Sequence, residues 1–177
     1  MKKDITISKV KLSQLDEYHK LCIQTFYETY ADKNTSENME NYVADHFNKE
    51  KLIRELNNSD IECYVAMLMG RIVGYIKINF GQSQTELKEP DTVEIERIYV
   101  LNEFQGNQIG KLLYTKSFEA ATARNAKELW LGVWEENDKA IGFYEKIGFV
   151  AFDKHIFMLG DDKQIDIMMK QKLIKKE

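Results

Sequence analysis

Apolar and polar residues alternate over residues 4–10, the two-residue period of a strand with one buried face. The period then lengthens. Leu15, Tyr18, Leu21, Cys22, Thr25 and Phe26 fall on one face of a helix, and Ser13 just ahead of them is the predicted N-cap. Residues 36–47 place Met39, Tyr42, Val43 and Phe47 at helical spacing behind Ser36, again as cap. A third helical stretch, 49–56, stops at the turn Asn57-Asn58-Ser59-Asp60. Strand patterns at 61–69 and 72–80 flank Gly70-Arg71, a hairpin signal, and a polar loop over 81–91 follows.

From residue 93 the elements come in quick succession. A strand (93–100) leads to the turn Gln105-Gly106-Asn107-Gln108-Ile109-Gly110-Lys111, which opens a helix carrying Ile109, Leu112, Leu113, Ala120 and Ala121 on one face. A strand (129–133) and a helix beginning near Asn137 and closing at Gly148 come next. Residues 149–159 and 164–173 read as strands joined by Gly160-Asp161-Asp162-Lys163. The late helices sit between strands as crossovers do, so the pattern predicts an α/β fold. Its form is a three-layer α/β/α mixed sheet in a single domain over residues 1–177.

Composition narrows the function. The chain has 177 residues, 44% hydrophobic and 31% charged, with one proline, which suits a globular core and leaves no room for a Pro-rich linker. No apolar run approaches the roughly 18–20 residues of a membrane span. Met1-Lys2-Lys3-Asp4 leads directly into a strand pattern, so the expected location is cytoplasmic. A net charge of −4 with no basic stripe argues against nucleic acid as partner and favours a cationic substrate. The basic stretch 170–176 reads as a solvated chain end. Cys22 and Cys63 fit core positions, and the three histidines show no paired spacing, so no metal is expected.

The turn 105–111 has a physical use. A helix start offers unpaired N–H groups and a partial positive charge, Gly106 and Gly110 allow close backbone approach, and Lys111 adds a cation. Leu112 follows Lys111 where a Walker loop has Ser or Thr, and the glycines are not spaced as GxGxxG. Taken alone, such a turn is also ordinary punctuation between elements.

The ordered set decides the matter. Strand 93–100, the turn, Leu129-Trp130-Leu131-Gly132-Val133 and Asn137…Ala140-Ile141-Gly142-Phe143-Tyr144-Glu145-Lys146-Ile147-Gly148-Phe149 together resemble the acetyl-CoA site of the GNAT superfamily of N-acetyltransferases. The resemblance implies the acyl-CoA N-acyltransferase fold, a mostly antiparallel sheet with a central splayed parallel pair. It also implies acetyl-CoA as cosubstrate. On it, Ile98, Tyr99 and Val100 pair with the pantetheine arm, and Gln105, Gly106, Asn107, Gln108, Ile109, Gly110 and Lys111 wrap the pyrophosphate. Asn137 and Lys146 join the cofactor site, and Tyr144 faces the thiol as proton donor. Gln108 departs from the family pattern, standing where the first of two glycines is usual.

Acetyl transfer needs a neutral amine. At neutral pH an alkylamine of pKa roughly 10.4 must give up its proton at a cost of about 4–5 kcal/mol. Glu94 and Glu96, on one face of a regular strand, are the candidate bases, with Glu96 favoured; both also read as solvated strand carboxylates paired with Arg97. A finer likeness, to the bacterial spermidine/spermine N-acetyltransferases of the Pai type, runs through Thr25-Phe26-Tyr27-Glu28-Thr29-Tyr30, Asn38-Met39-Glu40-Asn41-Tyr42, Leu56-Asn57, residues 94–100, Trp130-Leu131-Gly132-Val133-Trp134-Glu135 and Gly160-Asp161-Asp162. It implies a polyamine acceptor, in a groove shaped by the early helices, with Tyr27, Tyr30, Asp32, Glu37 and Glu40 available to line it. The alternatives are another amine (a protein N-terminus, a lysine or a small molecule) or an acyl-CoA-binding regulatory module. Apolar residues in the last two strands suit either a homodimer or the core.

Overall fold

The computed structural model describes residues 4–173. Seven strands, β1 (Ile5–Lys9), β2 (Ile61–Leu68), β3 (Arg71–Phe80), β4 (Thr92–Val100), β5 (Glu128–Trp134), β6 (Val150–Leu159) and β7 (Asp162–Lys172), form one sheet in the order β1-β2-β3-β4-β5-β7-β6. Every neighbouring pair is antiparallel except β4 and β5. Helices α1 (Leu15–Tyr30), α2 (Ser36–His46) and α3 (Lys49–Leu56) cover one face, and α4 (Ile109–Ala123) and α5 (Asp138–Lys146) the other. The expected α/β/α mixed sheet with a central parallel pair is present.

Two apolar layers hold the sheet between the helices. On the α4/α5 side Ile76, Ile78, Val93, Ile95 and Leu131 pack against Ile109, Leu113 and Ala121. On the other, Tyr75, Val65 and Cys63 meet Tyr18, Leu21, Phe26 and Leu52. Alternation along β3 and β4 assigns each side chain to its layer.

Several boundaries shift for local reasons. Thr35, not Ser36, caps α2, its Oγ1 accepting from the Asn38 N–H at 3.2 Å. Ser13 falls in a short 3-10 turn, and α1 begins at Leu15. The β2–β3 turn is Met69-Gly70 rather than Gly70-Arg71. The basic stretch is no solvated end as far as Lys172. Lys170 and Lys172 belong to β7, paired with β5, and Lys170 Nζ lies 3.2 Å from Glu128; residues 174–177 lie outside the described residues.

Two irregularities matter for the site. The β4–β5 pairing covers only Thr92↔Glu128, Val93↔Leu129 and Glu94↔Trp130, after which β5 pairs with β7 alone. From Ile95 onward the β5-side edge of β4 therefore has no strand partner among the described residues. The β3–β4 register also jumps from Lys77↔Arg97 to Ile78↔Ile95, making Glu96 the extra residue of a β-bulge. Ile95 and Ile98 both face α4, so the bulge turns Glu96 and Arg97 together toward the α1–α3 layer.

Candidate active site

The splay between β4 and β5 opens a cavity of about 550 Å³. Its walls include Ile98, Tyr99 and Val100 on one side and Leu131, Gly132 and Val133 on the other. At one end lies the turn. Gln105 donates its side-chain N–H to Val100 O (3.1 Å) and Asn102 Oδ1 (3.0 Å), while its Oε1 accepts from Lys139, tying the end of β4 to α5. The first α4 bond of the turn runs from Leu112 N to Gln108 O at 3.1 Å, leaving the N–H groups of Ile109, Gly110 and Lys111 at the open helix start.

Gln108 adopts the left-handed conformation at φ 62° and ψ 10°, a geometry that glycine enters without steric cost. The turn is therefore closed in spite of the substitution. Asn107 alone of the predicted turn residues does not line the cavity; its amide donates back to Phe104 O at 2.9 Å and Gln105 O at 3.4 Å. Lys111 and Lys146 line it as expected, as does Asn137, whose Oδ1 caps α5 by accepting from Ala140 N at 3.1 Å. Lys139, Phe143 and Trp134 also line it. Phe143 and Trp134 lie within the motifs quoted above but receive no binding role there, Phe143 reading as a packing residue, and Lys139 is an exposed lysine with no motif of its own.

Tyr144 reaches the same cavity from α5, packed edge-on between Phe143 (5.4 Å) and Phe149 (5.8 Å). Its helix ends in a turn closed by Phe149 N–H to Tyr144 O at 3.0 Å, with Gly148 at φ 102°. Burial pushes the Tyr144 phenol well above its ordinary pKa, so it keeps its proton at neutral pH. Cys22 and Cys63 play no part. Both are buried core thiols, pushed by burial to about 12 and about 11.

A second cavity of about 340 Å³ adjoins the first. Tyr30, Glu96, Tyr99 and Gly132 line both, so the two meet there. Aromatic faces (Tyr42, Trp130, Phe157) and carboxylates (Glu86, Glu94, Asp166) wall it. Burial holds the Asp166 carboxyl above its usual range. His155 Nε2 stands 3.5 Å from Asp166 Oδ2, and its Nδ1 lies 3.2 Å from Glu86 Oε1 without hydrogen-bond geometry. Of the early-helix residues available to line an acceptor groove only Tyr30 lines either cavity; Tyr27, Asp32, Glu37 and Glu40 do not. The early helical region still shapes the second cavity, through Phe26, Tyr30, Tyr42, His46 and Phe47, and the β6–β7 hairpin completes its wall with His155, Phe157 and Asp166.

The strand carboxylates differ sharply. Glu94 is buried, accepting from Thr85 N (2.8 Å), Thr85 Oγ1 (2.5 Å) and Asn79 Nδ2 (3.1 Å). Burial outweighs those bonds and, with Glu96 nearby, raises its pKa. Burial would raise Glu96 too, but Arg97 and Lys77 overcome it and hold the carboxyl at about 2. Mutual repulsion thus acts on Glu94 as the sequence suggested, while on Glu96 the cations win. The ion pairs with Arg97 and Lys77 favour the charged form of Glu96, which makes it the weaker proton acceptor of the two carboxylates.

Comparison with known proteins gives the family. The model of the acetyltransferase (GNAT) family matches residues 18–149. The chain belongs to that family. This GNAT N-acetyltransferase is 34% identical over 170 residues to an uncharacterised N-acetyltransferase of Lactobacillus delbrueckii subsp. lactis, covering 96% of the chain and 98% of the relative. It is 26% identical over 153 residues to a spermidine N(1)-acetyltransferase of Thermoplasma acidophilum, covering 84% of the chain and 90% of that protein. Its fold superposes on the crystal structure of a PaiA N-acetyltransferase from Thermoplasma acidophilum, in complex with coenzyme A, with a TM-score of 0.80 at 24% identity over 96% of this chain and 99% of that one. No group of His, Cys, Asp or Glu among the described residues is placed to hold a metal ion, and no helix there is long and apolar enough to cross a membrane.

Proposed function

We propose that this GNAT acetyltransferase moves the acetyl group of acetyl-CoA directly to an amine of a small polycation such as spermidine, with both substrates bound at once. The observation that carries the reading is the junction of the two cavities. One has the features a pantetheine arm and pyrophosphate require: an unpartnered strand edge on β4, a helix start and lysines. The other is walled by carboxylates and aromatic faces, a setting for alkylammonium groups. The named spermidine acetyltransferase relative supports the same acceptor class.

Acetyl-CoA supplies the activated thioester. The β4 edge orients its arm by backbone hydrogen bonds, and the turn N–H groups with Lys111 hold its phosphates. Tyr144 keeps a proton on its hydroxyl and presents it toward the sulfur that departs. Because its pKa lies above that of a thiol near 8.5, full transfer runs uphill, and its main effect is a hydrogen bond to the developing thiolate. Glu94, with its raised pKa, accepts the amine proton through a water better than Glu96 does.

The test is thiol release from acetyl-CoA with spermidine, spermine, putrescine and a lysine peptide, for the wild type and Tyr144→Phe. Polyamine-dependent turnover is expected, with kcat at least tenfold lower in the variant at unchanged acetyl-CoA affinity. Turnover with the peptide alone would replace the polyamine reading with a protein acceptor. Tight acetyl-CoA binding without turnover on any amine would point to the regulatory module.

A further inference from the structure

Four ionised side chains from three elements form a closed ring under the junction. Glu55, on α3, receives Lys77 Nζ at 2.8 Å and Arg97 Nη1 at 3.2 Å. Lys77 Nζ continues to Glu96 Oε2 at 2.6 Å, and Arg97 Nη2 lies 3.5 Å from Glu96 Oε1. Two cations face two anions, so the ring is neutral. Glu55, Lys77 and Arg97 are each buried, and Arg97 also stacks over Phe47 at 4.7 Å. Of the four, only Glu96 reaches both cavities; Arg97 lines the second, and Glu55 and Lys77 line neither.

Stability is a weak reason for such a ring, because desolvating four charges offsets most of their attraction and apolar replacements often do as well. What the ring does supply is geometry. Lys77 and Arg97 each bridge the two carboxylates, so Glu55 anchors from below the cations that grip Glu96 from the sides. The bulge at Glu96 is the backbone counterpart, since it turns both Glu96 and Arg97 to the ring side of β4.

We propose that Glu55 is a positioning residue: through Lys77 and Arg97 it fixes the Glu96 carboxylate at the junction, where Glu96 is the standing anionic contact for the ammonium group about to be acetylated. This rests on the proposed function. The depressed pKa of Glu96, about 2, agrees with a group that stays charged while the amine changes its protonation. The ring assigns different work to neighbouring carboxylates: Glu96 holds the cation, and Glu94, outside the ring, takes the proton.

Charge balance gives the test. Glu55→Gln leaves two buried cations against one carboxylate, and Glu55→Gln with Lys77→Met restores one against one. Steady-state kinetics, with thermal unfolding as the check on folding, are measured on both variants and on Lys77→Met. Glu55→Gln is expected to raise the acceptor KM at least tenfold, more for spermidine than for a monoamine, with the acetyl-CoA KM within twofold of wild type. The double variant is expected to recover most of the acceptor KM. A folded Glu55→Gln protein with unchanged acceptor KM, or a double variant as poor as the single one, overturns the inference while the acetyltransferase reading stands. If Glu55→Gln does not fold, the comparison moves to Lys77→Met and the double variant. Lys77→Met keeps Glu55 on Arg97 and is expected to stay near the wild-type acceptor KM, with the double variant about threefold above it, equal values being the overturning result. A wild type active only on a non-polyamine amine ends the polyamine reading and leaves the ring to be tested on that amine. A wild type inactive on every amine ends both.

Discussion

At position 108 a glutamine occupies backbone space that favours glycine. The left-handed conformation costs an L-residue about 1–2 kcal/mol, so the chain carries that strain at the turn facing the predicted pyrophosphate. Gln108→Gly should therefore raise stability by about 1 kcal/mol, visible as a Tm increase of a few degrees in thermal unfolding; an unchanged or lower Tm would mean that glutamine side-chain contacts offset the strain. Glu96 shows a second cost, set by pH. Its folded pKa is depressed to about 2 against an ordinary value near 4.5, so its ion pairs contribute fully above about pH 4.5 and fade as pH falls toward 2. Urea midpoints from pH 6 down to 2.5 should accordingly fall more steeply for wild type than for Glu96→Gln. The raised Glu94 carboxyl acts in the opposite direction, less so in Glu96→Gln because the Glu96 charge contributes to the rise, and this narrows the difference between the two curves. Parallel curves would show that the ring does not depend on that charge.

Among the elements, those with strong periodicity were legible: the helix 15–30, both β2 and β3, and the β4–α4–β5–α5 run all lie within a few residues of where the pattern puts them. Caps were less so, because Ser13, Thr35 and Ser36 are all acceptable capping types and only the backbone path selects Thr35. The bulge on β4 left a trace that the regular-strand reading passed over. Apolar residues at 93 and 95 resume at 98 and 100, a phase break of one residue that marks where an extra residue sits. What no local pattern carries is the ring itself. Glu55 is an ordinary helix glutamate in sequence, and its partners lie 22 and 42 residues away, brought close only by packing α3 against the sheet. The same holds for the wall of the second cavity, where His155 and Asp166 read as polar positions in two late strands.

On the scale of the whole molecule, the sheet is joined at its centre by three residue pairs before it opens. A ligand filling that opening contacts both halves and binds the folded state alone. Coenzyme A at about a hundred times its Kd should then add about 2.7 kcal/mol, which for a chain of this size is a Tm rise of about 5–10 °C. A shift near zero, measured by scanning calorimetry at millimolar ligand, would mean that coenzyme A does not bind the folded chain. The opening also bears on solubility. An unpaired strand edge at a protein surface invites another chain to add to it, which is the usual start of aggregation. Here the open stretch of β4 runs inside the molecule, flanked by β5 and roofed by the turn and α5. A thin, flexible chain without side branches can lie along it, whereas an incoming polypeptide strand would have to bring its side chains into the same cleft. The fold thus keeps an exposed hydrogen-bonding edge for use and withholds it from its own copies.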